Sequence, residues 1–145
     1  MKTVLFLCTG NAARSQMAEG LVNAHFRDEW RAVSAGVEPK YLDPKAVQAM
    51  AEIGIDISTH HSKSVTEFVG LNFDLVVTLC DDAAARCPVW PGAARKIHLP
   101  FDDPGRVRET GGDDAAVLAV MRRVRDEMLI QLPAALRPAE RIAVP

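Results

Sequence analysis

Thr3 to Leu7 (TVLFL) runs without a charged residue into Cys8, and the polar loop from Cys8 to Ser15 (CTGNAARS) then opens a helical pattern. A short apolar run with no alternation is what a strand buried on both faces looks like, and inner strands of parallel sheets are buried that way. From Ser15 to Phe26 the residues Met17, Ala18, Leu21, Val22 and Phe26 recur at three- and four-residue spacing, with Ser15 available as a cap and Glu19 in the first turns. A buried strand feeding an amphipathic helix through one loop commits the chain to a βα unit, and a parallel sheet is built by repeating such units.

The rhythm continues. Ala32 to Ala35 reads as a strand closed by Gly36, and Pro44 to Glu52 as a helix with proline in its first turn and Gly54 just past its end. Asp74 to Leu79 is a second buried-strand pattern and Arg95 to Leu99 a weaker one. Asp113 to Leu132 is a long helical pattern with Val117, Val120, Met121, Val124, Met128 and Leu132 on one face, and Pro133 is expected to stop it. The last thirteen positions, 133–145, carry three prolines and no period, and are expected to form an irregular tail without function. With 145 residues, 48% of them hydrophobic, one core is sufficient. The expectation is a single α/β domain over residues 1–132, an open four-stranded, mostly parallel sheet with helices on both faces. Its ligand site should lie beyond the carboxyl ends of the strands, where Cys8 sits.

Charge excludes some partners. Seventeen basic and nineteen acidic residues are dispersed to a net charge of −2, leaving no basic arm for nucleic acid and no acidic tail. The apolar stretch before Cys8 is too short for a signal peptide or a membrane span, so a cytoplasmic protein without a membrane partner is expected. Three cysteines in a chain of this length are no disulfide framework, which leaves catalysis, metal binding or inert burial. Metal is disfavoured: Cys80 and Cys87 lack ligand spacing, and the adjacent His60 and His61 do not share a face. His60 and His61 read as solvated loop residues, and His25 and His98 carry weaker signals still.

The Cys8 loop has the makings of an oxyanion cradle. Backbone N–H groups between a strand and the helix it feeds converge on one spot, where the helix dipole adds positive potential. Gly10 allows backbone geometry denied to other residues, Ala12 and Ala13 keep side chains out of the cradle, and Arg14 offers a planar fork to two oxygens of a tetrahedral anion. The oxyanion-binding set is therefore Thr9, Gly10, Asn11, Ala12, Ala13 and Arg14. A thiol facing a helix N-terminus beside an arginine is favoured as a nucleophile, so Cys8 should be reactive. Ser15 is placed to donate to its sulfur, and Asn11, which tolerates left-handed geometry, to lock the turn.

Cys80 follows the strand DLVVTL and so shares the carboxyl edge of the sheet with Cys8. Asp81 and Asp82 suit a helix start, Ala83 to Ala85 are strong helix formers, and Pro88 should end the segment. Seven helical steps separate Cα atoms by about 10.5 Å, whereas a disulfide needs roughly 4.4 to 6.8 Å. Bridging Cys80 to Cys87 would require this helix to unwind, which makes a poor staple but a plausible redox switch.

Cys8, five residues, Arg14 and Ser15 at the head of an α/β chain resemble the low-molecular-weight protein tyrosine phosphatase superfamily, and the stretch CTGNAARSQMAEG is more similar to its thioredoxin-coupled arsenate reductase branch. The resemblance extends to about Leu132. It implies Cys8 as nucleophile on arsenate, with phosphate or sulfate as mimics, and Asp103 of Asp103-Pro104 as general acid, Asp102 being the competing choice. The phosphatase branch has aromatic residues after Asp-Pro, where this chain has Gly105, Arg106 and Val107. TLCDDAAARCP resembles that branch's paired cysteines, which implies that Cys80 resolves the Cys8 adduct and Cys87 passes the disulfide to thioredoxin. Some relatives hold potassium through Asn, Glu, Ser and Asp, matching Asn11, Glu19 and Ser34, but the fourth position is Lys63, whose ammonium group should replace the ion. The implied protein is a monomer with no cofactor. The alternatives are a phosphatase for phosphotyrosine or small phosphomonoesters, with Cys80 and Cys87 idle, and an oxyanion or redox sensor, in which Asp103 has no evident task.

Overall fold

The structure, a computed structural model, describes residues 1–87 and 89–137. Pro88, expected to end the helix between the cysteines, lies outside the described residues, as do positions 138–145 of the expected tail. The uninterrupted apolar run forms β1 (Lys2–Cys8), which pairs in parallel with β2 (Trp30–Gly36) on one side and β3 (Leu75–Thr78) on the other. β4 (Lys96–His98) adds in parallel to β3, giving the order β2-β1-β3-β4. The sheet is thus wholly parallel. Val4, Leu5, Phe6 and Leu7 are all fully buried, so both faces of β1 are covered. Each of these side chains contributes roughly 1.5–3 kcal/mol relative to an exposed position.

The helices are α1 (Arg14–His25), α2 (Pro44–Ala51), α3 (Asp81–Arg86), α4 (Arg106–Glu109) and α5 (Asp114–Leu136). α1, α2 and α5 pack on one another, while the short α3 sits against β1 and β3. A 3-10 turn, Val65–Phe68, is fixed by a capping box between Ser64 and Glu67. The chain leaves β1 toward one edge of the sheet and β3 toward the other. The crevice between their carboxyl ends is the topological switch point, and Cys8 and Cys80 both lie there.

Several element ends differ from expectation, β2 for one starting at Trp30 rather than Ala32, and two of the differences bear on the core and the loop. α5 does not stop at Pro133 but runs to Leu136, because Leu132 and Leu136, four residues apart, both reach the core; that burial outweighs the one N–H that proline lacks near the helix end. α1 starts at Arg14 with Ala13 as its cap and no side-chain capping bond. Ser15 is not the cap; its hydroxyl is turned inward to the loop.

Candidate active site

The loop after β1 is shaped by a segment that local pattern alone does not reveal, residues 37–43. The carbonyls of Cys8, Thr9, Gly10 and Ala12 accept from the amides of Val37 (3.2 Å), Glu38 (2.8 Å), Lys40 (3.0 Å) and Asp43 (2.9 Å). In a trans peptide the carbonyl of one residue and the N–H of the next point in opposite directions. With these carbonyls drawn outward, the N–H groups of Thr9, Gly10, Asn11 and Ala13 face the interior of the loop. The Asn11 amide is accordingly 3.2 Å from the Cys8 sulfur. The left-handed turn falls on Asn11 (φ 47°) and not on Gly10, so the backbone freedom expected of Gly10 is used one residue later. Gly36, paired with Cys8 in the sheet, is what lets the loop lie close: a Cβ there would be 2.6 Å from the Thr9 carbonyl oxygen and 2.9 Å from the Asn11 nitrogen. Its sequence signal, a glycine closing a strand, reads only as a strand end.

Cys8 is buried, and its sulfur lies 2.8 Å from Ser15 Oγ. Asn11 Nδ2 donates to Ser15 Oγ (2.8 Å) and Ser34 Oγ (2.9 Å), leaving the Ser15 hydrogen for the sulfur. Ser34 in turn donates to Glu19 Oε1 at 3.1 Å. The Asn11 side-chain oxygen accepts from the Lys63 amide (2.8 Å) and Gln16 Nε2 (2.9 Å), so the fully buried Asn11 is bonded at both ends. Asn11, Glu19 and Ser34 do gather under the loop, and the Lys63 ammonium approaches Glu19 Oε1 at 3.7 Å and donates to the His61 carbonyl at 3.1 Å. His60 lies in a loop and is partly exposed, and its Nδ1 lies 3.0 Å from both Glu19 Oε2 and Gln16 Oε1. The buried polar residues Gln16 and Glu19 on α1 carry no local pattern that would announce these partners.

Arg14 is buried at the first position of α1, with Nη1 donating to the Phe101 carbonyl at 3.2 Å and Nη2 lying 3.7 Å from Asp103 Oδ2. The other oxygen of Asp103 accepts from the Gly105 amide at 2.9 Å, so the turn and the carboxyl at the cleft are the same feature. Asp102 instead pairs with Arg123 at 2.9 Å. Arg108 grips the buried Asp43 through two bonds of 2.6 and 3.0 Å, and that carboxylate holds the guanidinium still more firmly protonated than usual. A cleft of about 1050 Å³ opens here, with Cys8, Arg14, Cys80 and Asp103 among its lining residues.

All three cysteines are free thiols. Cys80 caps α3, its sulfur accepting from the Ala83 amide at 3.3 Å, and it lies 3.4 Å from Thr9 Oγ1. Thr9 donates to Asp82 Oδ2 at 2.7 Å, so its oxygen is an acceptor toward the Cys80 thiol. Cys87 follows the other end of α3 and is partly exposed. Thr9 thus belongs to both the cradle and the surroundings of the second thiol. Among the described residues no group of three or more His, Cys, Asp or Glu side chains could hold a metal ion, and no helix is long and apolar enough to cross a membrane.

The chain is similar to known proteins over most of its length. The chain is 48% identical over 127 residues to an arsenate reductase of Bacillus subtilis (strain 168), covering 88% of this chain and 89% of that protein. It is 44% identical over 131 residues to an arsenate reductase of Staphylococcus aureus (strain Newman), covering 90% and 93%. A solved arsenate reductase in the phosphate binding state superposes with a TM-score of 0.76 at 30% identity, covering 94% of this chain and 97% of that one. Residues 3–128, which hold all three cysteines and the Asp-Pro turn, match the low molecular weight phosphotyrosine protein phosphatase family, and the chain belongs to it.

Proposed function

We propose that this chain reduces arsenate to arsenite through a three-thiol relay regenerated by thioredoxin. The observation that carries the reading is the meeting of Cys8 and Cys80 at one carboxyl edge, with Thr9, the neighbour of Cys8, 3.4 Å from the Cys80 sulfur. Phosphate ester hydrolysis needs only the Cys8 thiol, so a second thiol at that edge favours the reductase reading. The relatives named arsenate reductase, and the solved one in a phosphate binding state, support a tetrahedral oxyanion as the ligand of the cradle.

In this mechanism the Cys8 thiolate attacks arsenic while the loop amides and Arg14 stabilise the charge on the oxygens. Asp103 gives its proton to the departing hydroxide, which leaves as water. Cys80 then attacks the Cys8 sulfur; the electron pair of the sulfur–arsenic bond passes to arsenic, which departs as arsenite, and a Cys8–Cys80 disulfide remains. Cys87 attacks Cys80, freeing Cys8 and forming the outer disulfide, which the dithiol of thioredoxin reduces. Ser15 and Asn11 hold the Cys8 sulfur and the loop in register throughout.

The test is arsenate turnover with thioredoxin, thioredoxin reductase and NADPH. Wild type should consume NADPH continuously, while Cys80→Ser and Cys87→Ser should stop after at most one equivalent of arsenite. Normal cycling by both variants would sink the relay. Loss of arsenate turnover in wild type together with rapid hydrolysis of aryl phosphates would favour the phosphatase reading instead.

A further inference from the structure

One strand holds the helix between the outer cysteines at both ends. Lys96 and His98 are two positions apart in β4, so their side chains leave the same face. Lys96 Nζ donates to the backbone carbonyl of Cys87, just past the last turn of α3, and His98 Nε2 donates to Oδ1 of Asp81, its first residue, at 2.8 Å. Thr78 Oγ1 braces the ring from behind, 2.8 Å from Nδ1. A carboxylate only accepts, so Nε2 carries a proton whether the ring is neutral or charged. In the neutral ring Nδ1 accepts from Thr78; in the charged ring it donates, and the Thr78 hydroxyl turns to the Ile97 carbonyl at 3.4 Å. The bond to Asp81 survives in both states.

The one i,i+4 ion pair inside α3, Arg86 to Asp82 at 3.0 Å, is too weak to keep it helical. Its six residues are far below the length at which an isolated helix persists in water. The helix lasts because of contacts made from outside, and those of Lys96 and His98 pin its opposite ends. Closing Cys80 onto Cys87 shortens a span of about 10.5 Å to roughly 4.4–6.8 Å, which pulls the Cys87 carbonyl and Asp81 away from their positions on β4.

We propose that Lys96 and His98 are positioning residues of the relay, a two-point clasp that holds the Cys80–Cys87 segment as a helical dithiol. This inference rests on the relay reading. The clasp exists only in the dithiol form, so it stabilises that form and opposes the disulfide. Its use is timing: a Cys80 already bonded to Cys87 cannot attack the Cys8 adduct, so premature closure would idle the enzyme. The attack of Cys80 on Cys8 leaves the clasp in place, and only the last internal step has to open it.

The experiment uses the full chain carrying Cys8→Ser, equilibrated with reduced and oxidised glutathione. Two thiols give two protons and two electrons to glutathione disulfide, yielding one protein disulfide and two glutathione thiols. Lys96→Met should shift this equilibrium toward the protein disulfide by about tenfold, the size of one charge-assisted hydrogen bond, which is about 30 mV more negative for a two-electron couple; His98→Val, whose partner Asp81 is 93% exposed, should shift it the same way by about two- to threefold. His98→Gln, whose amide can still donate to Asp81, should stay near the parent value. Arg122→Met, which breaks a pair with Glu52 remote from α3, should lower the melting temperature without moving the redox constant. In the reduced protein, the Ala84 and Cys87 amides, bonded to the Cys80 and Ala83 carbonyls, should exchange hydrogen faster in the clasp variants while β1 amides hold. Redox constants and exchange rates equal to the parent's in both variants would overturn the clasp. If no Cys80–Cys87 disulfide forms in parent or variants, the relay itself fails and the clasp with it.

Discussion

Two adjacent carboxylates, Asp102 and Asp103, show how little separates a catalytic group from a structural one. Asp102 is taken up by Arg123 at 2.9 Å, whereas Asp103 keeps one oxygen toward Arg14 at the mouth of the cradle. With Asp103 as the acid, Asp103→Asn should lower kcat for arsenate by about 10²–10⁴ and leave KM nearly unchanged, while Asp102→Asn should remain within a few fold. Steady-state kinetics of the two variants check this, and a larger loss in Asp102→Asn would reassign the acid. Lys63 makes a second case. Its ammonium lies 3.7 Å from Glu19 in a group of buried polar residues that would otherwise suit a cation. Turnover and melting temperature should therefore be equal in potassium and sodium at matched ionic strength. Lys63→Asp removes the internal cation and sets a second carboxylate beside Glu19, so that variant should gain a potassium dependence. Potassium-stimulated turnover of the wild type would argue against the substitution of ammonium for ion.

Between elements, the acid-bearing turn and the cradle are joined through one residue. Asp43 caps α2 by accepting from the Lys45 amide, donates its own amide to the Ala12 carbonyl in the loop, and binds Arg108 of α4, which follows the Asp103 turn. Arg108→Leu leaves the Asp43 carboxylate buried without its cation. Because Arg108 is itself about one-third exposed (34%), solvent discounts the loss; a destabilisation of about 1–3 kcal/mol is expected, measurable by urea denaturation. Arsenate turnover should fall with it, while alkylation of Cys8 by iodoacetate, which needs the loop but not the acid, should proceed at the wild-type rate. Slower alkylation in Arg108→Leu would mean that the pair shapes the cradle itself. Local patterns reached only part of this. The βα rhythm, the cradle residues and the Cys80–Cys87 helix follow from spacing over a few residues, where periodicity and turn chemistry act. The Asp43–Arg108 pair spans 65 positions, and His60 to Glu19, Gly36 against Thr9 and Lys96 to Cys87 also join residues with no shared local pattern. Such contacts are products of the fold, so no local pattern announces them before the chain is closed.

For the molecule as a whole, the same limit applies to what fastens its helices together. The apolar face of α5 was readable, and so was the expected strand count, but the end of α2 is tied to α5 by a charge network: Glu52 accepts from Arg122 at 2.6 Å and from Arg125 at 2.9 Å. The hydrogen bond from Arg122, reinforced by Arg125, lowers the Glu52 carboxyl from 4.5 to about 2. In the unfolded chain Glu52 takes up a proton near pH 4.5, but in the folded protein it stays ionised until about pH 2. Between those values the unfolded state binds more protons, so stability from this group is present above the upper value and is lost as pH falls toward the lower one. Glu52→Gln removes the titrating group, and the fall in melting temperature from pH 5 to about pH 2 should be shallower than in wild type. It should not vanish, because Asp56, whose carboxyl is lowered by hydrogen bonds from Ser58, titrates in the same direction and remains in the variant. The double variant Glu52→Gln with Asp56→Asn should flatten the acid limb further. An acid limb as steep in Glu52→Gln as in wild type would show that the arginine cluster on α5 holds α2 without drawing on the charge of Glu52.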